Sequence, residues 1–125
     1  MEWKFDDGRA IYSQIVEQMK LFIVSGLLPA GSKLPAVREL AQEASVNPNT
    51  MQRALSELEF TGLVYTNRTS GRFVTDDSEK IAQANETLAQ SVITDFLERM
   101  EKLGYSKDET KTLISNIQNG GENNE

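Results

Sequence analysis

The sequence predicts a mainly α (α+β) fold in which a winged helix-turn-helix domain precedes a short two-helix segment. Three helical patterns and then two β-rich runs occupy residues 10–75, and only a few residues separate the second and third helical patterns. A further amphipathic helical pattern starts at Ser78. We therefore expect a winged helix-turn-helix domain at residues 1–76, a helical segment at 77–119 and a disordered tail at 120–125.

The composition excludes several classes of protein. The 125 residues are 38% hydrophobic and 26% charged, as in globular domains, and no stretch approaches the roughly 18 apolar residues of a membrane span. Because the first residues lack a signal-peptide pattern, we expect a cytoplasmic protein with no membrane partner. The absence of cysteine and histidine excludes thiolate and imidazole metal sites. We expect no cofactor, and no catalytic constellation of an enzyme is visible.

The formal charge of −6 is concentrated in the C-terminal part of the chain. Residues 1–75 carry eight basic and eight acidic side chains, whereas the remainder carries five basic and eleven acidic ones. The net charge therefore does not exclude a polyanion as a partner of the neutral part, and the acidic part would then face away from it.

Local signals place each element of the first domain. The first helix runs from about Ala10 to Ser25, and a very short strand is expected at Lys33–Leu34 before the second helix, which starts near Pro35. Asn47 is the expected N-cap of the third helix and Pro48 its first residue. The expected inward side chains are Ile11, Ile15, Met19, Phe22 and Ile23, then Val37, Leu40, Ala41 and Ala44, then Met51, Ala54, Leu55 and Leu58.

A hairpin and two helices complete the prediction. Residues 63–66 and 72–75 are β-rich and flank a basic tip at 67–71. The long helix from Ser78 carries an apolar stripe, and a final helix from about Ser106 to Asn119 starts with a capping box of Ser106 and Glu109. The stripe includes Ile81, Leu88, Val92, Phe96, Met100 and Leu103.

The outward face of the third helix has side chains that suit DNA. Burial of the apolar residues leaves Asn49, Thr50, Gln52 and Arg53 outside, where amides match adenine edges and a guanidinium matches guanine or phosphate. Each feature alone fits a solvated surface equally well, and a charged turn is usually a solvated turn. A basic hairpin directly after such a helix, with Arg68 and Arg72, favours DNA binding because a wing there meets the minor groove or the backbone.

Ordered blocks of residues resemble the GntR family of winged-helix regulators. They comprise residues 11–15, 26–41, 46–54, 58–59, 62–64 and 71–74, among them Val46-Asn47-Pro48-Asn49-Thr50. The short C-terminal part resembles the YtrA subfamily. The resemblance implies a ligand-modulated repressor that binds a palindromic operator as a homodimer, with double-stranded DNA as its partner.

The resemblance also assigns roles to residues. Arg38 would contact a base or a phosphate, and the start of the third helix and the wing tip would line the DNA. With the outward Arg53 and the hairpin Arg68, the expected DNA-binding set is Arg38, Asn47, Asn49, Thr50, Gln52, Arg53, Arg68, Ser70, Gly71 and Arg72. Three positions depart from the family pattern: Ala36 replaces a capping serine, Thr69 replaces the first wing glycine, and Gln52 replaces a frequent arginine.

Two alternatives stay open at this point. A winged helix can serve as a protein-binding adaptor that never meets specific DNA, and the set of four arginines is the feature that argues against it. The C-terminal stripe could pack on its own domain, although about 45 residues cannot enclose both such a stripe and a sizeable ligand cavity. We therefore expect an identical chain to cover the stripe, and a small-molecule effector of unknown identity is left open. The paired aspartates Asp6-Asp7 and Asp76-Asp77 are interpreted as solvated turns.

Overall fold

In the computed structural model, the described residues form five helices and one hairpin in the predicted order. The structure describes the backbone of residues 1–123 and the side chains of residues 1–118. The elements are α1 (Ile11–Val24), α2 (Val37–Ala44), α3 (Pro48–Phe60), β1 (Val64–Asn67), β2 (Gly71–Val74), α4 (Ser78–Lys102) and α5 (Lys107–Asn123). This arrangement of helices around a two-stranded wing confirms the predicted fold class. The chain divides into two compact units, residues 1–85 and the part from residue 86 onwards.

The helix-turn-helix forms where the sequence places it. The side-chain oxygen of Asn47 accepts a hydrogen bond from the backbone N–H of Asn49 at 2.8 Å, and Pro48 is the first residue of α3. The inward face of α3 is fully buried against α1 and α2, as predicted. Between α2 and α3, Ser45 adopts a left-handed conformation with φ 58°, which makes the tight turn.

The buried face of α1 differs in part from the prediction. Ile15, Met19 and Ile23 are buried, but Ile11 is 36% exposed, and Gln14, only 1% exposed, belongs to the interior instead. The Gln14 side chain accepts from the N–H of Asp6 at 2.7 Å and donates to the carbonyl oxygen of Asp6 at 2.9 Å. Gln14 is buried because it satisfies the backbone of the N-terminal segment.

The wing is an antiparallel hairpin closed by an asparagine-based turn. Val64 pairs with Val74, and Asn67 pairs with Gly71. The side-chain oxygen of Asn67 accepts from the N–H of Thr69 at 3.1 Å and from its hydroxyl at 3.0 Å. In this turn the residue with a positive φ is Gly71, at 106°. Thr69 has a negative φ, so this position does not require the glycine that the family usually has there. The strand expected at Lys33–Leu34 is reduced to a single bridge between Lys33 and Phe73.

The first turns of α4 belong to the first unit. Asp77 is exposed and also caps this helix, since its carboxylate accepts a hydrogen bond from the N–H of Glu79 at 3.0 Å. Ile81 and Ala84 pack against the core of the first unit. The division after residue 85 lies beyond the expected boundary at 76, and Ile81 of the predicted stripe is partly buried against this core.

The second unit contains the rest of α4 and α5. The capping box is present: the N–H of Ser106 donates to Glu109 at 3.0 Å, and the N–H of Glu109 donates to the Ser106 hydroxyl at 3.1 Å. The helix bounds extend to Asn123, four residues past the predicted end, and residues 124–125 of the expected disordered tail lie outside the described residues. None of the described helices combines the length and the apolar character needed to cross a bilayer.

Candidate nucleic-acid interface

The start of α3 presents a polar face to solvent. Asn49, Gln52 and Arg53 are exposed, and Thr50 is half-buried. The side-chain nitrogen of Gln52 donates to the Ser56 hydroxyl at 3.3 Å, close to the upper limit of a hydrogen bond, so a DNA base can displace this contact at small cost. The Asn47 oxygen is occupied by the cap, which leaves the amide nitrogen of Asn47 for a ligand.

One of the predicted arginines, Arg53, contacts the aromatic ring of Tyr12 on α1. The guanidinium carbon of Arg53 lies 3.6 Å from the centroid of the Tyr12 ring, which is a cation–π contact. Tyr12 was not among the predicted site residues. The signal that could have found it is its place one residue into the amphipathic α1, next to the polar edge of that helix.

The start of α2 is open to solvent. Arg38 is exposed at its second position, and Ala36 at the N-cap makes no side-chain hydrogen bond. The backbone N–H groups of the first turn of α2 therefore lack a side-chain cap, as the departure from the family pattern suggested.

The two predicted arginines of the wing lie in different surroundings. Arg68 and Ser70 are exposed at the tip beside Gly71. Arg72 is half-buried on β2, where its Nε donates to the carboxylate of Glu59 on α3 at 2.5 Å. Arg72 is thus already paired in the protein, which its position in the sequence did not reveal.

Glu59 is ionised and bound from two sides. The hydroxyl of Thr66 donates to the same carboxylate oxygen at 2.6 Å. Partial burial raises the pKa of Glu59, but the hydrogen bonds from Thr66 and Arg72 and the positive charge of Arg72 together lower it below its ordinary value. The carboxylate therefore stays charged at neutral pH.

A cleft of about 730 Å³ lies between the wing and the start of α2. Lys33, Ala36 and Glu39 line one part of it, and Thr66, Gly71 and Arg72 line another. A Cβ atom at Gly71 would lie only 3.1 Å from Cε of Lys33, so the lysine stem crosses the wing at this glycine. Lys33 is a cation that sequence reasoning did not assign to the DNA-binding set, because its stretch was interpreted only as a turn with a very short strand.

Comparison with known proteins supports this geometry. The family model described as bacterial regulatory proteins, gntR family, matches residues 11–74. This chain belongs to the gntR family. It is accordingly a DNA-binding transcription regulator and not an enzyme.

Two relatives from Bacillus subtilis belong to the same class. The chain is 37% identical to the HTH-type transcriptional regulator YhcF over 97% of its own length and all of that protein. It is 38% identical to the HTH-type transcriptional repressor YtrA over 74% of its own length and 67% of YtrA.

Two solved structures are also similar to this chain. A GntR family transcriptional regulator from Listeria monocytogenes superposes with a TM-score of 0.80 at 41% identity, over 89% of this chain and 97% of that one. The AraR DNA-binding domain, solved in complex with operator ORX1, superposes with a TM-score of 0.53 at 28% identity, over 60% of this chain and 96% of that domain. The latter match shows that this fold occurs on operator DNA.

Proposed function

We propose that this gntR-family protein represses transcription by binding a palindromic operator as a homodimer. The carrying observation is an α3 whose start exposes Asn49, Gln52 and Arg53 beside an ordered wing. Such a helix reads the major groove with its N-terminal residues, and one helix reads one half-site. The printed name of YtrA as a repressor and the AraR domain on an operator support the proposal.

Apolar side chains exposed on the second unit support the dimer. Val92 is 68% exposed and Leu103 is 72% exposed in the single chain, and Ile117 on α5 is 66% exposed. Large exposed apolar surfaces mark interaction sites, and a second copy of the same chain offers a matching surface. The dimer contact is therefore expected to involve the predicted residues Ile81, Leu88, Val92, Phe96, Met100 and Leu103.

Any small-molecule effector is expected at the interface of two chains. The groove on α4 in the second unit, about 530 Å³, is lined by one helix alone, from Val92 to Lys102. Pockets that bind small molecules surround most of the ligand, which a single helix face cannot do. A second chain would supply the missing wall.

The test combines site selection with a dimer variant. Selection from a random oligonucleotide pool is expected to yield an inverted repeat. Leu88→Asp with Val92→Asp should give a monomer by light scattering and lower the affinity for the repeat at least tenfold, because buried carboxylates oppose association. The matched control, Gln90→Asp with Thr94→Asp, adds the same charge at exposed positions on α4 and should remain dimeric. A monomeric variant that binds the full repeat as tightly as wild type would show that the dimer mechanism is wrong.

A further inference from the structure

One carboxylate oxygen joins α3 to both strands of the wing. The Oε1 atom of Glu59, on the last turn of α3, accepts from the Thr66 hydroxyl on β1 and from Nε of Arg72 on β2. Thr66 and Arg72 lie directly opposite each other in the hairpin. Glu59 therefore binds a cross-strand pair and ties the hairpin to α3.

The same contact restrains the charge of Arg72. The side chains of Arg72 and Glu59 are only 20% and 31% exposed, so solvent screens their attraction less than that of an open surface pair. Among the described hydrogen bonds, Arg72 uses Nε alone, which leaves its two terminal nitrogens for a phosphate. The pair as a whole is neutral, however, so it attracts DNA of any sequence much less than a free arginine would.

We propose that Glu59 is a positioning residue that determines DNA specificity: it holds Arg72 and the wing in one geometry and withholds the charge of Arg72 from nonspecific DNA. A wing held in this way reaches the minor groove or backbone only when α3 is seated in the major groove. A released arginine would instead bind phosphates in any register, since phosphate contacts carry no sequence information. This inference rests on the proposed site-specific DNA binding.

The test is Glu59→Gln in the full-length protein, measured by fluorescence anisotropy on the selected site and on a scrambled duplex at several salt concentrations. Glutamine keeps the acceptor oxygen for Thr66 but removes the charge. We expect tighter binding to scrambled DNA, a salt slope steeper by about one unit, and a ratio of specific to nonspecific affinity that falls about threefold to tenfold. The matched control is Glu57→Gln, which removes the same charge from an exposed position on α3 and should leave that ratio unchanged.

Two further variants test whether Glu59 acts on DNA binding through Arg72 or only stabilises the fold. In an Arg72→Gln background, Glu59→Gln should have no further effect on salt slope or specificity, because Glu59 acts through Arg72. Glu59→Asp, which keeps the charge, should keep the weak nonspecific binding of wild type. Equal losses on both duplexes, or an undiminished effect in the Arg72→Gln background, would overturn the inference. If wild type itself shows no preference for the selected site, the proposed function has failed instead, which is a distinguishable outcome.

Discussion

Side chains of the same type differ in how free they are to meet DNA. Arg68 is exposed at the wing tip, Arg53 is stacked on Tyr12, and Arg72 is paired with Glu59. A stacked guanidinium keeps its charge and its donors but loses rotational freedom, so binding costs it less conformational entropy. The three arginines should therefore contribute differently to DNA affinity, a difference that the sequence alone does not indicate.

Substitutions at Gln52 and Arg68 should separate base reading from phosphate binding. Gln52→Ala should lower binding to the selected site by about 1–3 kcal/mol and leave scrambled DNA nearly unchanged, because a bidentate amide discriminates between bases. Arg68→Ala should weaken both duplexes alike and reduce the salt slope by about one unit. Affinities on both duplexes measure this, with Ser56→Ala as a control for the Gln52–Ser56 contact. Equal loss on both duplexes for Gln52→Ala would remove its assigned role.

The pKa of Glu59 predicts a pH-dependent contribution to stability. Its folded pKa lies below the ordinary 4.5, so its interactions with Thr66 and Arg72 stabilise the fold fully above pH 4.5 and are lost as the pH falls through the folded pKa. At pH 7, Glu59→Gln should lower the free energy of unfolding by up to about 1 kcal/mol. Thermal unfolding should show that this difference shrinks below pH 4.5. A difference that stays constant down to pH 3 would contradict the assignment, and Glu57→Gln serves as the control.

At the level of elements, α2 has a correctable weakness at its start. Ala36 occupies the N-cap with φ −62° and ψ 153°, the extended geometry in which serine caps a helix. Ala36→Ser should therefore stabilise the first unit by about 1 kcal/mol and raise its Tm by a few degrees. Calorimetry can measure the shift. Ala30→Ser, in an exposed turn that begins no helix, should change little, and an equal shift in both variants would argue against capping.

The sequence predicts elements well where a local signal decides them. Asn47-Pro48 marks the start of α3, and Ser106 with Glu109 marks that of α5, because each cap is satisfied within a few residues. The features that the sequence did not predict depend on contacts with residues farther away along the chain. Gln14 is buried by a bond to Asp6, Arg72 is paired with Glu59 thirteen residues away, and no periodicity reports such contacts.

For the whole molecule, the proposed dimer predicts that operator binding depends on protein concentration. A dimer held by the exposed apolar surface of the second unit dissociates at low concentration, and operator affinity then falls with it. The sequence predicts that the stripe exists, yet it cannot give the dimer geometry, because that depends on how two copies of α4 and α5 meet. The spacing of the two recognition helices is therefore open to experiment.

Changing the spacing between half-sites should reveal that geometry. A fixed dimer places its two recognition helices one turn of B-DNA apart, about 34 Å, or a multiple of it. Inserting about five base pairs turns one half-site by half a turn, and inserting about ten restores the face but adds one turn of length. Either insertion should reduce wild-type affinity to that of a single half-site. The Leu88→Asp, Val92→Asp variant should bind all three duplexes equally, since each monomer reads its half-site alone. Wild-type affinity that ignores both insertions would mean that the two winged helices bind independently.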